Sequence, residues 1–296
     1  MKIANAPCSW GVLEFEPKDR YPYYTEVLNE MQAIGYRGTE LGDWGFLPTD
    51  SEKLRAELAE RDLTLVAAFV PIPFADPWAH RLGEARALQH ARLLVAAGFD
   101  TAFIVLSDDN VTVEERKENA GRILPEHGLT QEQWDTFIAG VHRVAQSVQD
   151  EMGLRTVFHH HCGGYVETPE EVDMLMQRTD PNLVGLCFDT GHYRFGGGDP
   201  FDIFDKHAER IWHVHFKDFD PEIADQALKE DWSYFMAIDG GVFCELGKGD
   251  VDFPGIIAEL RNRNYDGWIV VEQDIVPGMG SPYQSAKRNF QYLNSI

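Results

Sequence analysis

Apolar residues in this chain gather in short runs rich in β-branched and aromatic side chains, and between the runs they recur at helical spacing. In order, the runs are KIANAPCS at the start, GTEL from Gly38, TLVAAFV from Thr64, TAFIVL from Thr101, RTVFHHH from Arg155, VGLCFD from Val184, IWHVHF from Ile211 and WIVVE from Trp268. Near-continuous apolar runs suit strands buried on both faces. The stretches SEKLRAELAER, EARALQHARLLVAAG and QEQWDTFIAGVHRVAQSVQDEMG suit amphipathic helices that cover them. The last two end on Gly98 and Gly153, the residue type that most readily closes a helix in the left-handed conformation. Alternating strand and helix predicts a parallel sheet, and eight strands close it into an α/β fold, the (β/α)8 or TIM barrel.

Two connections are long, 107–130 after the fourth strand and 219–252 after the seventh, and long segments in compact barrels act as lids or specificity elements. No linker, low-complexity tract or short repeat breaks the pattern, so residues 1–296 read as one domain. Gly196–Asp199, GGGD, follows no strand and lacks a phosphate-loop pattern, so it reads as a turn. EERKE from Glu114 reads as a solvated helix face.

Composition is that of ordinary globular chains, at 44% hydrophobic and 25% charged residues. Charge says more. Lys and Arg number 26 against 49 Asp and Glu, and the resulting net charge of −23 repels phosphate backbones and anionic membranes, which argues against both as partners. The dispersed cysteines Cys8, Cys162, Cys187 and Cys244, and a start without a signal-peptide core, predict a reduced, cytoplasmic protein. No run approaches the roughly 18 apolar residues of a membrane span. Assembly of like subunits is compatible with all of this.

The candidate chemistry lies at the strand ends. RTVFHHH ends in His159, His160 and His161; VGLCFDTGH carries Asp189 and His192; IWHVHFKD carries His213, His215, Lys217 and Asp218; WIVVEQD carries Glu272. A lone buried histidine is usually a hydrogen-bonded core residue, but polar groups at the same end of four successive buried strands are costly without a shared purpose. All C-terminal strand ends of a parallel barrel open on one face, so these groups converge. Side chains alternate along a strand, which puts His159 with His161 on one face, His213 with His215 and Lys217 on another, and turns His160 away from the interior. Imidazole mixed with carboxylate suits a divalent first-row transition ion.

The blocks HVHFKD, FDTGH and the strand-ending Glu272 resemble the xylose-isomerase-like barrel superfamily of sugar epimerases, inosose isomerase and endonuclease IV. Within it, APCSW, GTELG, FHHHCGGYVET, TDPNLVGLCFDTGH, HVHFKD, GKGDVDF and YDGWIVVEQD resemble the inosose dehydratases, from the first strand to the last. The resemblance implies one divalent metal held by His159, Asp189, His215 and Glu272, with Mn²⁺ or Co²⁺ favoured over Zn²⁺, Fe²⁺ or Ni²⁺. Epimerases carry a glutamate as the fifth-strand ligand, six residues after the glycine that opens the strand. Counting likewise from Gly153 reaches His159, a departure that weakens the epimerase reading and agrees with the dehydratases. The first-strand loop CSWGVLEFEP lacks the acidic and asparagine pair associated with many inosose dehydratases, so the substrate can differ.

The resemblance therefore implies a metal-dependent lyase that removes water from a cyclic keto-polyol, a small polyhydroxylated carbonyl substrate. Lys217, His161 and His192 are the candidates for proton transfer. Glu40, Trp10 and His213 are expected at the substrate, although His213, one step deeper than His215, also suits a supporting or packed role. Lys217 could instead be an ion-pair partner of Asp218 or Glu40. The alternative is a keto-sugar or inosose isomerase or epimerase acting through the same enediolate. A sugar sensor without turnover is a further rival, and a nuclease conflicts with the net charge.

Overall fold

A computed structural model describes residues 2–13 and 18–296. Eight parallel strands close a barrel: β1 (Lys2–Asn5), β2 (Gly38–Glu40), β3 (Thr64–Pro71), β4 (Phe103–Ser107), β5 (Arg155–His159), β6 (Val184–Asp189), β7 (Ile211–Phe216) and β8 (Trp268–Val271). The circuit runs β1-β8-β7-β6-β5-β4-β3-β2, each strand beside its sequence neighbours, with β1 and β8 sealing the barrel. Each predicted apolar run overlaps one of these strands, β3 and β4 running one residue further, to Pro71 and Ser107.

Alternation sorts each strand into two rows. The outward row, including Phe158, Leu186, Phe188, Val214, Phe216, Ile269 and Val271, packs under the helices in one continuous core. The inward row is small and apolar at mid-height, where Ala67, Val105, Val157 and Cys187 pack together. One inward step further, Val157 gives way to His159, Cys187 to Asp189 and Val270 to Glu272. Each buried Val, Leu or Phe contributes about 1.5–3 kcal/mol, so the outer row offsets the cost of a polar top row.

Helix boundaries follow local chemistry. Thr130 and Gln133 cap each other at the start of the helix Gln131–Met152, and Gly153 ends it at φ 69°. The helix expected from Glu84 starts earlier, at His80, whose Nε2 lies 2.8 Å from the Phe74 carbonyl. Gly196–Gly198 form the expected turn, and Asp199 caps the helix Pro200–His207.

The two long connections are folded segments. The first contains the short helix Glu114–Glu118; the second contains helices Pro221–Lys229 and Tyr234–Gly240 and a two-residue antiparallel ribbon of Asp218–Phe219 with Phe243–Cys244. Arg116 corrects the solvated reading of EERKE: it is fully buried, grips both oxygens of Glu171 at 2.8 and 2.7 Å, and donates to the Gly164 carbonyl at 2.8 Å. Gly164 lies in the loop after β5 and Glu171 in the first turn of the helix Pro169–Arg178, so this arginine ties the first long connection to the segment that follows the histidine run. All four cysteines are free. Among the described residues, no helix is long and apolar enough to cross a membrane.

Candidate metal centre

β5, β6, β7 and β8 are consecutive in the barrel, and register sets Asp189 beside His215 and His159 beside Cys187. Glu272 lies one residue past β8, where its amide donates to the Phe216 carbonyl at 3.0 Å. Ligand-capable atoms of His159, Asp189, His215 and Glu272 thereby fall within 4.8 Å of one another. His159 Nε2 is 3.5 Å from Asp189 Oδ2, and His215 Nδ1 is 3.8 Å from that oxygen and 3.4 Å from Glu272 Oε1. Two ligands at about 2.1 Å from one tetrahedral ion stand about 3.4 Å apart, so these spacings suit a shared cation better than hydrogen bonds. Among the described residues, His215 Nδ1 is moreover buried without a hydrogen-bond partner while facing two carboxylates, the position a cation satisfies. The donor set fits.

Glu40 explains why Nδ1 of His215 faces the cluster. From β2 its Oε1 accepts from Nε2 of His215 at 2.9 Å and from Nε2 of His213 at 2.8 Å. With the ring proton held at Nε2, the lone pair is on Nδ1. Burial pushes the Glu40 carboxyl up, but His215 and His213 outweigh it and bring it down to about 2. Burial first, and His215 next, hold His159 well below the ordinary histidine range, in the neutral form that ligates. Burial lifts Asp189 to about 6 against the pull of Lys217.

The DTGH block seats Lys217. Asp189 Oδ1 accepts the His192 amide at 2.8 Å, and Thr190 Oγ1 donates to the Lys217 carbonyl at 2.7 Å and accepts its amide at 3.1 Å. A Cβ on Gly191 would stand 2.8 Å from Lys217 Cγ, so only glycine lets the lysine pass. Lys217 Nζ then reaches the two Asp274 oxygens at 3.3 and 3.1 Å and Glu272 Oε2 at 3.2 Å. Burial opposes its charge, but Asp274 and Glu272 hold the ammonium well above the usual lysine range. His161 Nδ1 is 2.7 Å from the Cys162 carbonyl, which can only accept, so its Nε2 carries the lone pair, 3.4 Å from the Tyr234 hydroxyl.

These groups form one end of a cavity of about 390 Å³, where His159, His161, His215, Lys217, Glu272 and Asp274 reach the wall. Other expected site residues are placed differently. Trp10 is buried in the turn Pro7–Trp10, and its indole N–H donates to Glu30 at 2.6 Å; it is not on the cavity wall. His213 lies below the cavity and His192 behind Lys217, with Nε2 3.2 Å from Nζ. Glu40 reaches the wall, but its carboxylate is engaged by the two imidazoles. Asp218 is no partner of Lys217: it accepts the amides of Phe219, Gly247, Gly249 and Val251 and so anchors the second long connection. His160 faces outward, as alternation requires, and accepts the Asp189 amide at 3.2 Å. Residues 14–17 of the first-strand loop lie outside the described residues.

Sequence reasoning missed Asp274 and Tyr234. Asp274 follows Glu272 by two residues, so the alternation that selected Lys217 after His215 pointed to it as well. Tyr234 lies in the second long connection, where no periodic pattern marks it.

The family described as the xylose isomerase-like TIM barrel matches residues 28–296. The chain belongs to this family. An inosose dehydratase of Geobacillus kaustophilus is 33% identical over 297 residues, covering 100% of this chain and 94% of the relative. An inosose dehydratase of Lacticaseibacillus casei is 31% identical over 295 residues, covering 100% of this chain and 97% of the relative. Among solved structures of the same fold, the IOLI protein with a bound zinc atom superposes with a TM-score of 0.69 at 15% identity, covering 100% of this chain and 96% of that one.

Proposed function

We propose that this chain removes water from a cyclic keto-polyol, an inosose, at the cluster of His159, Asp189, His215 and Glu272. The observation that carries the reading is the Lys217 ammonium and the His161 lone pair on one cavity wall with that cluster, in a chain whose full-length relatives are named inosose dehydratases. Two imidazoles and two carboxylates suit a divalent first-row ion, Mn²⁺ or Co²⁺ before Zn²⁺, Fe²⁺ or Ni²⁺. Bound there, the ion would polarise the substrate carbonyl and its neighbouring hydroxyl.

The chain's own groups move the protons. His161 Nε2 takes the α-proton as the carbon–hydrogen bond breaks, and the Tyr234 hydroxyl, 3.4 Å from that nitrogen, limits the ring's swing. The electron pair forms the new carbon–carbon double bond and expels the β-hydroxyl, which takes a proton from Lys217 Nζ and departs as water. Asp274 aims that ammonium, His192 Nε2 lies 3.2 Å from it, Thr190 fixes the Lys217 backbone and Gly191 leaves room for the stem. Incubating the metal-loaded enzyme with a panel of inososes and ketohexoses and recording product mass tests this directly. Loss of one water from an inosose is expected; a product of unchanged mass would mark isomerisation or epimerisation instead.

Glu40 acts here as a positioning residue. Glu40→Gln keeps the shape and can keep its oxygen toward both imidazoles, but it removes the negative charge that fixes their protons on Nε2. Metal affinity, read by competition with a fluorescent chelator, is expected to fall about 10- to 100-fold, as for other groups that orient a metal-ligating histidine. Unchanged affinity in a folded variant would remove Glu40 from this role.

A further inference from the structure

The cavity is larger than a bare ring requires. A six-membered keto-polyol of about 12 non-hydrogen atoms fills roughly the space of five waters, about 150 Å³ at about 30 Å³ each. The cavity offers about 390 Å³. The metal-competent cluster occupies the β5–β8 side, whereas the remaining space is bounded by the connections that follow β1, β2 and β3. That second wall carries a different chemistry.

Its polar and aromatic residues are Lys18, Asp43, Trp44, Arg86 and His90. His90 Nδ1 is 2.8 Å from the Arg86 carbonyl and donates to it, which leaves Nε2 as an acceptor. The Trp44 ring, half-buried, lies 4.6 Å from the His90 ring between centroids and supplies an apolar face of the kind that ring C–H groups stack on. Lys18 is engaged already, by the Trp44 carbonyl at 3.0 Å and Asp43 at 3.8 Å. Arg86 is exposed, and among the described residues no carboxylate pairs with it. An unneutralised arginine on the wall of a cavity, in a chain with 49 acidic and 26 basic residues, is a local inversion of the protein's charge. Such an inversion focuses an anion that the rest of the surface repels. The planar guanidinium fork matches the oxygens of a carboxylate or a phosphate.

We infer that this wall is a second subsite, in which Arg86 binds an anionic substituent, carboxylate or phosphate, of a keto-polyol whose ring lies over Trp44 and whose carbonyl reaches the cluster. The preferred substrate is then an acidic derivative of the inosose, taken ahead of the uncharged ring. The inference deepens the dehydration reading and rests on it for the placement of the carbonyl.

Calorimetric binding separates the two, because it needs no turnover. Three unreactive analogues are compared on the metal-loaded protein: a reduced, uncharged cyclic polyol, its carboxylate derivative and its phosphate derivative. The subsite predicts that at least one anionic analogue binds about tenfold more tightly than the uncharged one, the scale of a charge-assisted hydrogen bond. The larger of the two gains identifies the group. The gain should shrink as salt rises from 0.1 to 1 M, where the screening length falls from about 10 to about 3 Å. In Arg86→Ala the ratio is expected to collapse to within about twofold, and Arg86→Lys should recover only part of it. Equal affinities in the wild type, or a ratio that survives Arg86→Ala, would overturn the subsite. Tight anionic binding without water loss from any ketone would instead sink the dehydration reading while keeping the subsite.

Discussion

Exhaustive chelation is expected to abolish turnover, and Mn²⁺ or Co²⁺ should restore it better than Ca²⁺. Two of the four donors are imidazoles, which disfavour the larger, harder ion. Without a cation the top of the barrel keeps Asp189 and Glu272 beside a His215 Nδ1 that has no hydrogen-bond partner among the described residues, so loading should also raise thermal stability. Asp189→Asn is the matching variant. Its Oδ1 can still cap the His192 amide, so the β6 end keeps its shape, while the anionic donor is lost. Metal content by atomic absorption and turnover should fall together. Full activity after verified demetallation would end the metal reading, whatever Asp189→Asn does.

Lys217→Met is expected to lower kcat by at least about 10²-fold, the scale of losing a proton donor, with metal content nearly unchanged. The change keeps an unbranched apolar stem and loses only the terminal ammonium, so Gly191 still leaves room for the side chain and Thr190 still fixes the backbone. What it removes is the ammonium that Asp274 and Glu272 aim into the cavity. A variant that keeps kcat and only raises KM would make Lys217 a substrate-positioning residue and leave acid and base work to His161. A parallel Asp274→Asn variant should show a smaller loss of kcat, because Glu272 still holds Nζ at 3.2 Å.

The barrel was legible because buried parallel strands must be apolar on both faces, a constraint written locally into each run. The convergence of His159, Asp189, His215 and Glu272 was legible for the same reason: alternation and a common strand direction are local geometry carried to one end of the sheet. Arg116 was not legible, since its neighbours in EERKE are those of a solvated helix and its partner Glu171 lies 55 residues away. Trp10 misled because an aromatic residue in a first-strand loop reads as a substrate contact, whereas the turn Pro7–Trp10 points its indole at Glu30.

The sequence by itself determined which side chains face the barrel interior and at which end they gather, because a period of two and a parallel direction follow from the backbone alone. Only the tertiary structure decided which nitrogen of His215 faces the cluster, that Glu40 is held between two imidazoles, and that Lys217 answers to Asp274 rather than Asp218. Those choices depend on distances across a closed barrel and between loops, set by packing and closure rather than by spacing along one strand.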